Sequence, residues 1–247
     1  MSNVVYGGQT VYGYEVGIIM LNTTFPRIVG DVGNALTWNF PVKYEIVDRV
    51  PNDKVVLNLD ESDLVPFIAA AKKLIGGGVR LITTSCGFLS LFQDQLSREV
   101  DVPIFTSSLI MLPMIRRMIN PEKKILVLTA NSETLSPEHF AAVGVSPKNF
   151  NLEICGTQHK KTFTNFTVHN WQSVNVDDCR NDLFEVLEES TSLAENKAGA
   201  IVLECTNMCP YSDDIRERYK VPVFDFVSMV NFVRETIHVS GKYWRYR

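Results

Sequence analysis

Short apolar runs alternate with amphipathic segments along most of the chain. Some runs are continuous and others are apolar at every second position, and both patterns are typical of strands. Between them, segments with apolar residues three and four positions apart predict helices with one buried face. The predicted strands are 16–21, 41–47, 79–84, 102–105, 123–129, 150–155, 200–204 and 221–225. The predicted helices are 63–75, 88–99, 108–119, a short one from 137, 177–196, 211–219 and 227–238.

This alternation of strands and helices predicts an α/β fold, because parallel sheets need helices to cover both of their faces. The chain has 247 residues, enough for one large domain or two smaller lobes. Two sheets and one split sheet are both compatible with the pattern. Residues 156–175 are polar and aromatic, and they fit neither period.

Two cysteines occupy matching positions in a weak internal repeat. Cys86 ends the apolar segment 79–86, and Cys205 ends the segment 198–205. A Val-Pro pair and then a phenylalanine follow each cysteine at the same distance, so that all these positions differ by 119 residues. Thiols at equivalent positions of two related lobes could place one acid/base group on each face of a bound substrate.

Both cysteines are predicted at the turn between a strand and a helix. The positive end of a helix dipole favours the thiolate, so we expect a lowered pKa for each thiol. A thiolate can act as a general base, and a thiol facing it as an acid. The alternative is that each cysteine is a small buried hydrophobic residue.

Four loops rich in hydroxyl and amide side chains are predicted at the strand ends where ligands of parallel α/β sheets bind. With free backbone N–H groups, they would suit a carboxylate. Their candidate substrate-binding residues are Asn22, Ser85, Gly87, Thr129, Asn131, Thr206 and Asn207. Arg27 is either a clamp for a substrate carboxylate or a surface arginine.

Composition and net charge limit the kinds of partner that the protein is expected to bind. The formal net charge of −4 argues against nucleic acid or an anionic membrane, and no apolar run reaches the roughly 18 residues of a membrane span.

Five cysteines, an odd number, and a start without an export signal favour a reducing cytoplasm. Cys205 and Cys209 lack the second pair of ligands that structural zinc needs, so we expect no metal. A homodimer or higher homo-oligomer is the default for a soluble enzyme.

At these residues the chain resembles the aspartate/glutamate/hydantoin racemase superfamily. The matching segments are Thr83-Thr-Ser-Cys86-Gly-Phe-Leu, Leu203-Glu-Cys205-Thr-Asn-Met, Lys124-Ile-Leu-Val-Leu-Thr129, Val16-Gly-Ile-Ile-Met-Leu and Gly30-Asp-Val-Gly-Asn34. The resemblance implies two Rossmann-like lobes related by a pseudo-twofold axis, with the active site in the cleft between them. It also implies lobe boundaries at 1–115 plus 210–247 for lobe 1 and 116–209 for lobe 2.

The resemblance further implies proton transfer without a cofactor, in which one cysteine removes an α-proton and the other reprotonates the opposite face. Cys86 and Cys205 would be this pair. The contacts to the substrate would come from Thr84, Ser85, Gly87, Thr129, Asn131 and Thr206. The expected activity is racemisation of a small carboxylate, with the acidic amino acids aspartate and glutamate as the expected substrates.

Two departures from the superfamily pattern keep other functions open. Racemases of this group often have Cys-Asn-Thr at the first cysteine and Cys-Thr-Glu at the second, whereas this chain has Gly87 and Asn207 at the variable positions. The residue that would bind an α-amino group is therefore unassigned. The alternatives are a maleate-type isomerase, an arylmalonate-type decarboxylase, or a relative that binds a small molecule without catalysis.

Overall fold

A computed structural model describes residues 7–238 of the protein, and within them eight strands form two four-stranded parallel sheets. The strands are β1 (Val16–Leu21), β2 (Val42–Val47), β3 (Leu81–Thr84), β4 (Ile104–Phe105), β5 (Lys124–Thr129), β6 (Leu152–Gly156), β7 (Ala198–Leu203) and β8 (Val223–Phe224). The α-helices are α1 (Asn52–Leu57), α2 (Leu64–Gly76), α3 (Gln93–Arg98), α4 (Leu112–Met118), α5 (Pro137–Ala141), α6 (Lys161–Thr167), α7 (Val176–Glu188), α8 (Thr191–Ala194), α9 (Ser212–Tyr219) and α10 (Phe226–Ile237). This confirms the predicted α/β class with helices flanking parallel sheets.

The two sheets have the same internal order. The first runs β2-β1-β3-β4 and the second β6-β5-β7-β8, so the second strand of each unit lies at one edge and the fourth at the other. The central strands β1, β3, β5 and β7 are almost wholly buried, as their near-continuous apolar sequences require. The edge strands β2 and β6 are only half-buried.

The internal repeat corresponds to this shared topology. Cys86 follows β3 and Cys205 follows β7, and each of these is the third strand of its sheet. The Val-Pro pairs come directly before β4 and β8. Two sheets, and not one split sheet, therefore carry the two matched cysteines.

Several helices differ in form from the sequence prediction. The segments after both cysteines begin as 3₁₀ helices, Gly87–Phe92 and Thr206–Tyr211, before α3 and α9. The single helix predicted at 177–196 is two helices, because Ser190 interrupts it and accepts a hydrogen bond from the backbone N–H of Leu193. Two short helices, α1 and α6, lie where no helix was predicted.

The last strand belongs to the second sheet. β8 lies within 210–247, which the sequence assigned to lobe 1, yet it pairs with β7. The chain returns to the first sheet only at α10, which packs against β3. There Arg234 donates to Glu15, just before β1, with a distance of 2.6 Å. The division into 1–115 plus 210–247 and 116–209 stays a prediction, and the pairing of β8 is with the second sheet.

No helix among residues 7–238 is long and apolar enough to cross a membrane.

Gly30 lies where the loop after β1 touches the second cysteine loop. Its φ of +103° falls in the region that side chains disfavour. A Cβ at this position would lie 2.7 Å from Cα of Pro210, which is backbone and cannot rotate away. Glycine is therefore required for both conformation and space.

We expect Gly30→Ala to lower the free energy of unfolding by about 2–4 kcal/mol, combining left-handed strain with overpacking. Gly144→Ala is the matched control, because Gly144 also has a positive φ, +73°, but a Cβ there would meet nothing within 4 Å. Urea denaturation measures both variants. Equal losses at the two positions would show that the contact with Pro210 contributes nothing.

Candidate active site

The two cysteine loops are joined directly by a buried hydrogen bond. Thr206 Oγ1 donates to the backbone carbonyl of Ser85 at 2.7 Å. The Ser85 side chain in turn accepts a bond from the backbone N–H of Leu21 at 3.0 Å. Thr84 Oγ1 donates to the carbonyl of Thr106 at 2.7 Å and lies 3.1 Å from that of Cys86. These bonds fix the two cysteines relative to each other and to the first sheet.

Both cysteines line one cleft at the carboxyl ends of the strands, with a cavity of about 20 Å³, room for about one water molecule. Cys86 is only 9% exposed, and Cys205 is partly exposed. The lining residues are Phe25, Arg27, Asn52, Val56, Ser85, Cys86, Gly87, Phe88, Ala130, Thr167, Val168, Glu204, Cys205 and Asn207. The cleft is small and largely apolar, with a few polar groups that converge on the two thiols.

Glu204, which comes directly before Cys205, is a buried acid in this cleft. Its side chain is fully buried, and its Oε2 accepts a hydrogen bond from Thr129 Oγ1 at 2.8 Å. Its Oε1 has no hydrogen-bond partner among the described residues. Burial raises the pKa of this carboxyl to about 7, and the bond from Thr129 only partly opposes that effect.

Gly87 leaves the space that the Glu204 carboxylate fills. A Cβ at position 87 would collide with both the backbone carbonyl and Oε1 of Glu204. Glycine after the first cysteine and glutamate before the second are therefore sterically coupled.

The expected lowering of the thiol pKa values is wrong. Burial and the nearby Glu204 charge raise the pKa of Cys86 to about 12. The same two causes, in the same order, raise the pKa of Cys205 well above its ordinary value. The helices that follow are short 3₁₀ segments, so their dipoles do not offset desolvation. Both thiols are therefore protonated at neutral pH.

Arg27 is the only cationic side chain among the lining residues that the structure describes. Its Nη1 donates to Asp31 at 2.7 Å and its Nη2 to Thr23 at 2.9 Å. Asp31 also accepts a 2.7 Å bond from Asn207 Nδ2, while Asn207 Oδ1 lies 3.6 Å from the Cys205 Sγ that donates to it. The guanidinium uses one N–H of each terminal nitrogen in these bonds, so it keeps further donors for a carboxylate in the cleft.

The structure brings six of the predicted site residues to the cleft surface. These are Arg27, Ser85, Cys86, Gly87, Cys205 and Asn207. Thr84, Thr129 and Thr206 are fully buried behind it, where their hydroxyls hold the loops and Glu204.

Two predicted residues lie away from the cleft. Asn22 is exposed and donates to Asp48, and Asn131 accepts bonds from the next turn of its own loop, while its neighbour Ala130 lines the cleft.

The remaining lining residues were not predicted. Phe88 lies two residues after Cys86, and Glu204 lies directly before Cys205. The sequence signal for Glu204 is an acidic residue at the end of an apolar strand. Asn52, Val56, Thr167 and Val168 come from α1 and from the end of α6, which have no clear periodicity. Their position depends on packing between distant segments.

Contacts between α1 and α6 close the cleft. Asn52 Nδ2 donates to the carbonyl of Thr167 at 2.6 Å. Nearby, Asn170 Oδ1 accepts bonds from the backbone N–H groups of Thr24 and Phe25. The ring of Phe25 packs edge-on against Phe166, with centroids 4.8 Å apart. A substrate must displace some of these contacts to enter.

Within residues 7–238, no group of three or more His, Cys, Asp or Glu side chains is arranged to hold a metal ion.

Sequence comparison relates the chain to one group of enzymes. No protein-family model matches it. It is 30% identical over 229 residues to dimethylsulfoniopropionate lyase 7 of Emiliania huxleyi (strain CCMP1516), and the match covers 88% of this chain and 65% of that protein. It spans 58% of two further lyases of that organism, also at 30% identity. The chain thus spans about 60% of the length of these relatives.

Structural comparison relates it to racemases and a decarboxylase. Glutamate racemase from Francisella tularensis matches with a TM-score of 0.55 and 15% identity, over 93% of this chain and 85% of that one. Aspartate racemase from Picrophilus torridus matches with a TM-score of 0.52 and 15% identity, over 90% and 94%. Arylmalonate decarboxylase matches with a TM-score of 0.53 and 12% identity, over 89% and 91%.

The chain therefore has the two-lobed α/β fold of the aspartate/glutamate racemase superfamily. The resemblance expected from the two cysteine loops is confirmed at the level of the fold.

Glu204→Gln should stabilise the protein at pH 8 and have little effect at pH 4. Because the folded-state pKa of Glu204 is raised from 4.5 to about 7, the stability it contributes is present below pH 4.5 and is lost as pH rises through 7. The loss at pH 8 is on the order of 3 kcal/mol. Urea denaturation at the two pH values measures it. A variant that is less stable than the wild type at pH 8 would contradict the assignment of a strained carboxylate.

Asn52→Ala should open the cleft. Loss of the bond to Thr167 removes about 1 kcal/mol of closing energy, so we expect Cys205 to be alkylated by iodoacetamide about fivefold faster. Asn22→Ala is the control, because Asn22 bonds only to Asp48 on the surface among described residues. Peptide mapping by mass spectrometry gives the rate at each cysteine. Equal rates in the two variants would mean that α1 does not act as a cover.

Proposed function

We propose that this protein is a cofactor-independent lyase that removes the α-proton of a small carboxylate and expels a leaving group from the β-carbon. The first substrate to test is dimethylsulfoniopropionate. The observation that carries the proposal is the pair of cysteines, in the loops after equivalent strands of two sheets, that line one closed cleft beside an arginine. The similarity to dimethylsulfoniopropionate lyases over 88% of the chain supports this choice of substrate.

The elimination needs one base. A cysteine thiolate takes the α-proton, the C–H electrons form the Cα=Cβ double bond, and the Cβ–S bond breaks. Dimethyl sulfide leaves with the electron pair of that bond, and acrylate remains. The base ends as a neutral thiol and must lose its proton to solvent before the next turnover.

The lining residues suit a substrate with both charges. The free donors of Arg27 can bind the carboxylate and stabilise the negative charge that develops as the α-proton leaves. The ring of Phe88 lines the cleft, and its quadrupole would attract a sulfonium cation, whereas one face of Phe25 is already covered by the Arg27 guanidinium, 4.5 Å from the ring centroid. The buried acid Glu204 adds negative potential. Phe88 also takes the place where amino-acid racemases of this fold often carry a polar residue.

The second candidate is racemisation of an acidic amino acid, aspartate or glutamate. Its support is that two cysteines, and not one, occupy matched positions around the cleft. Racemisation needs a base on one face and an acid on the other, so both thiols would be indispensable. In this reaction the α-proton is exchanged and no bond at the β-carbon breaks.

The experiment compares the wild type with Cys86→Ser and Cys205→Ser. Dimethyl sulfide release from dimethylsulfoniopropionate is followed by gas chromatography, and α-deuterium incorporation into each enantiomer of aspartate and glutamate is followed in D₂O. Cys155→Ser, at a cysteine outside the cleft, is the control.

For a lyase we expect dimethyl sulfide release by the wild type and a loss of about 10²–10⁴-fold in one cysteine variant, with a smaller loss in the other. For a racemase we expect no dimethyl sulfide, and loss of racemisation in both variants. A wild type inactive in both assays, or one whose activity survives both substitutions, would overturn the proposal.

A further inference from the structure

Glu204 lies at a position where neither the fold of the protein nor the end of strand β7 requires a buried acid. It is the residue between β7 and Cys205, and its carboxylate points between the two cysteine loops and not into an apolar core. Oε2 is fixed by Thr129, whereas Oε1 is buried beside Gly87 and has no hydrogen-bond partner among the described residues. A buried carboxylate oxygen without a hydrogen bond lowers the stability of the folded protein. Its presence here therefore indicates a functional role.

The surroundings hold this carboxylate without neutralising it. Arg27, the one cation of the lining, is paired with Asp31. Among residues 7–238, the only side chain that bonds to Glu204 is the neutral hydroxyl of Thr129. Gly87 lets Oε1 pack against its backbone, where any side chain would collide with it. Glu204 is therefore held as an acceptor and is not built into an ion pair.

A negative charge on Glu204 disfavours a negative charge on either thiol. The negative charge of Glu204 raises the pKa of both Cys86 and Cys205, and the two thiols also interact with each other. Three acids packed this closely titrate as one system, in which the first proton lost leaves a single negative charge for all three to share. That charge lies on Glu204, since its pKa is the lowest of the three.

We infer that Glu204 is the proton acceptor that activates the cysteine pair: its Oε1 takes the Sγ proton of one thiol when a substrate occupies the cleft. The S–H bond breaks, an O–H bond forms, and the charge passes to sulfur as thiolate. The thiolate then takes the substrate α-proton and is a thiol again. Protonated Glu204 releases its proton to solvent, which accounts for the one proton that elimination from a zwitterion to acrylate produces.

This inference rests on the proposed function, in that it supplies the thiolate that function needs. Glu204 acts through the thiols and need not touch the substrate. The other possible role, binding a substrate cation directly, is disfavoured because Oε1 has almost no accessible surface. Direct binding is kept as an outcome of the test.

The test uses the wild type, Glu204→Gln, Glu204→Asp and the control Glu15→Gln. Glutamine keeps the size of the side chain and can still accept a bond from Thr129, but it cannot take a proton. Glu15 is also buried, at the opposite end of the first sheet, where it pairs with Arg234. Two measurements are made: thiolate absorbance at 240 nm against pH without substrate, and kcat and KM against pH with the substrate that the wild type turns over.

In the wild type we expect kcat/KM to rise with pH through about 7, because the ionised carboxylate is the required form. In Glu204→Gln we expect kcat to fall by about 10²–10⁴-fold and this limb to move to higher pH, while Glu204→Asp recovers part of the rate. Thiolate absorbance should appear at lower pH in Glu204→Gln than in the wild type, since the repelling charge is gone. Glu15→Gln should leave both profiles in place.

An unchanged pH limb in Glu204→Gln would overturn the inference, as would a raised KM with an unchanged kcat, which would identify a cation-binding role. An unchanged thiolate titration would overturn it whether or not any substrate is turned over. If the wild type turns over neither substrate class but the thiolate titration shifts as expected, the proposed function is wrong. The sharing of one negative charge among Glu204 and the two thiols is then still supported.

Discussion

The close approach of Glu204 to Gly87 is the constraint on which the candidate site depends. It lets the loop after β3 and the loop after β7 meet without a side chain between them, and the Thr206–Ser85 hydrogen bond holds them there. A larger residue at position 87 would separate the loops. Two cysteines from different sheets therefore share one cleft because a glycine on one loop accommodates an acid on the other.

That arrangement also determines the electrostatics. Bringing a carboxyl and two thiols together in a buried space favours their neutral forms, and the burial of each raises its pKa. The cleft can hold one negative charge at modest cost and a second only at a large cost. Chemistry that moves a single charge from oxygen to sulfur and back is thus better suited to this cleft than chemistry needing two anions.

The sequence predicts the parts of this structure that depend on local pattern. The strands, the α/β class and the equivalence of Cys86 and Cys205 follow from apolar periodicity and from a spacing of 119 residues. The raised pKa values of the thiols do not follow from local pattern. The helix-dipole argument considers only neighbouring residues, whereas desolvation depends on which distant segments cover the cleft. For the same reason α1 and α6 were missed: they are short, and their role as walls arises only from contacts between the two lobes. Glu204 was visible in the sequence, but its significance depends on Gly87, 117 positions away.

The ionisation of Glu204 itself tests this account most directly. Carbon-13 NMR of protein labelled at the glutamate carboxyl carbons, with the Glu204 signal assigned by its absence in Glu204→Gln, follows that single group through pH. The account predicts a midpoint near 7, well above the ordinary glutamate value of 4.5. A midpoint at or below 4.5 would mean that the carboxylate is solvated or paired, and would contradict the shared charge on which the proposed chemistry rests.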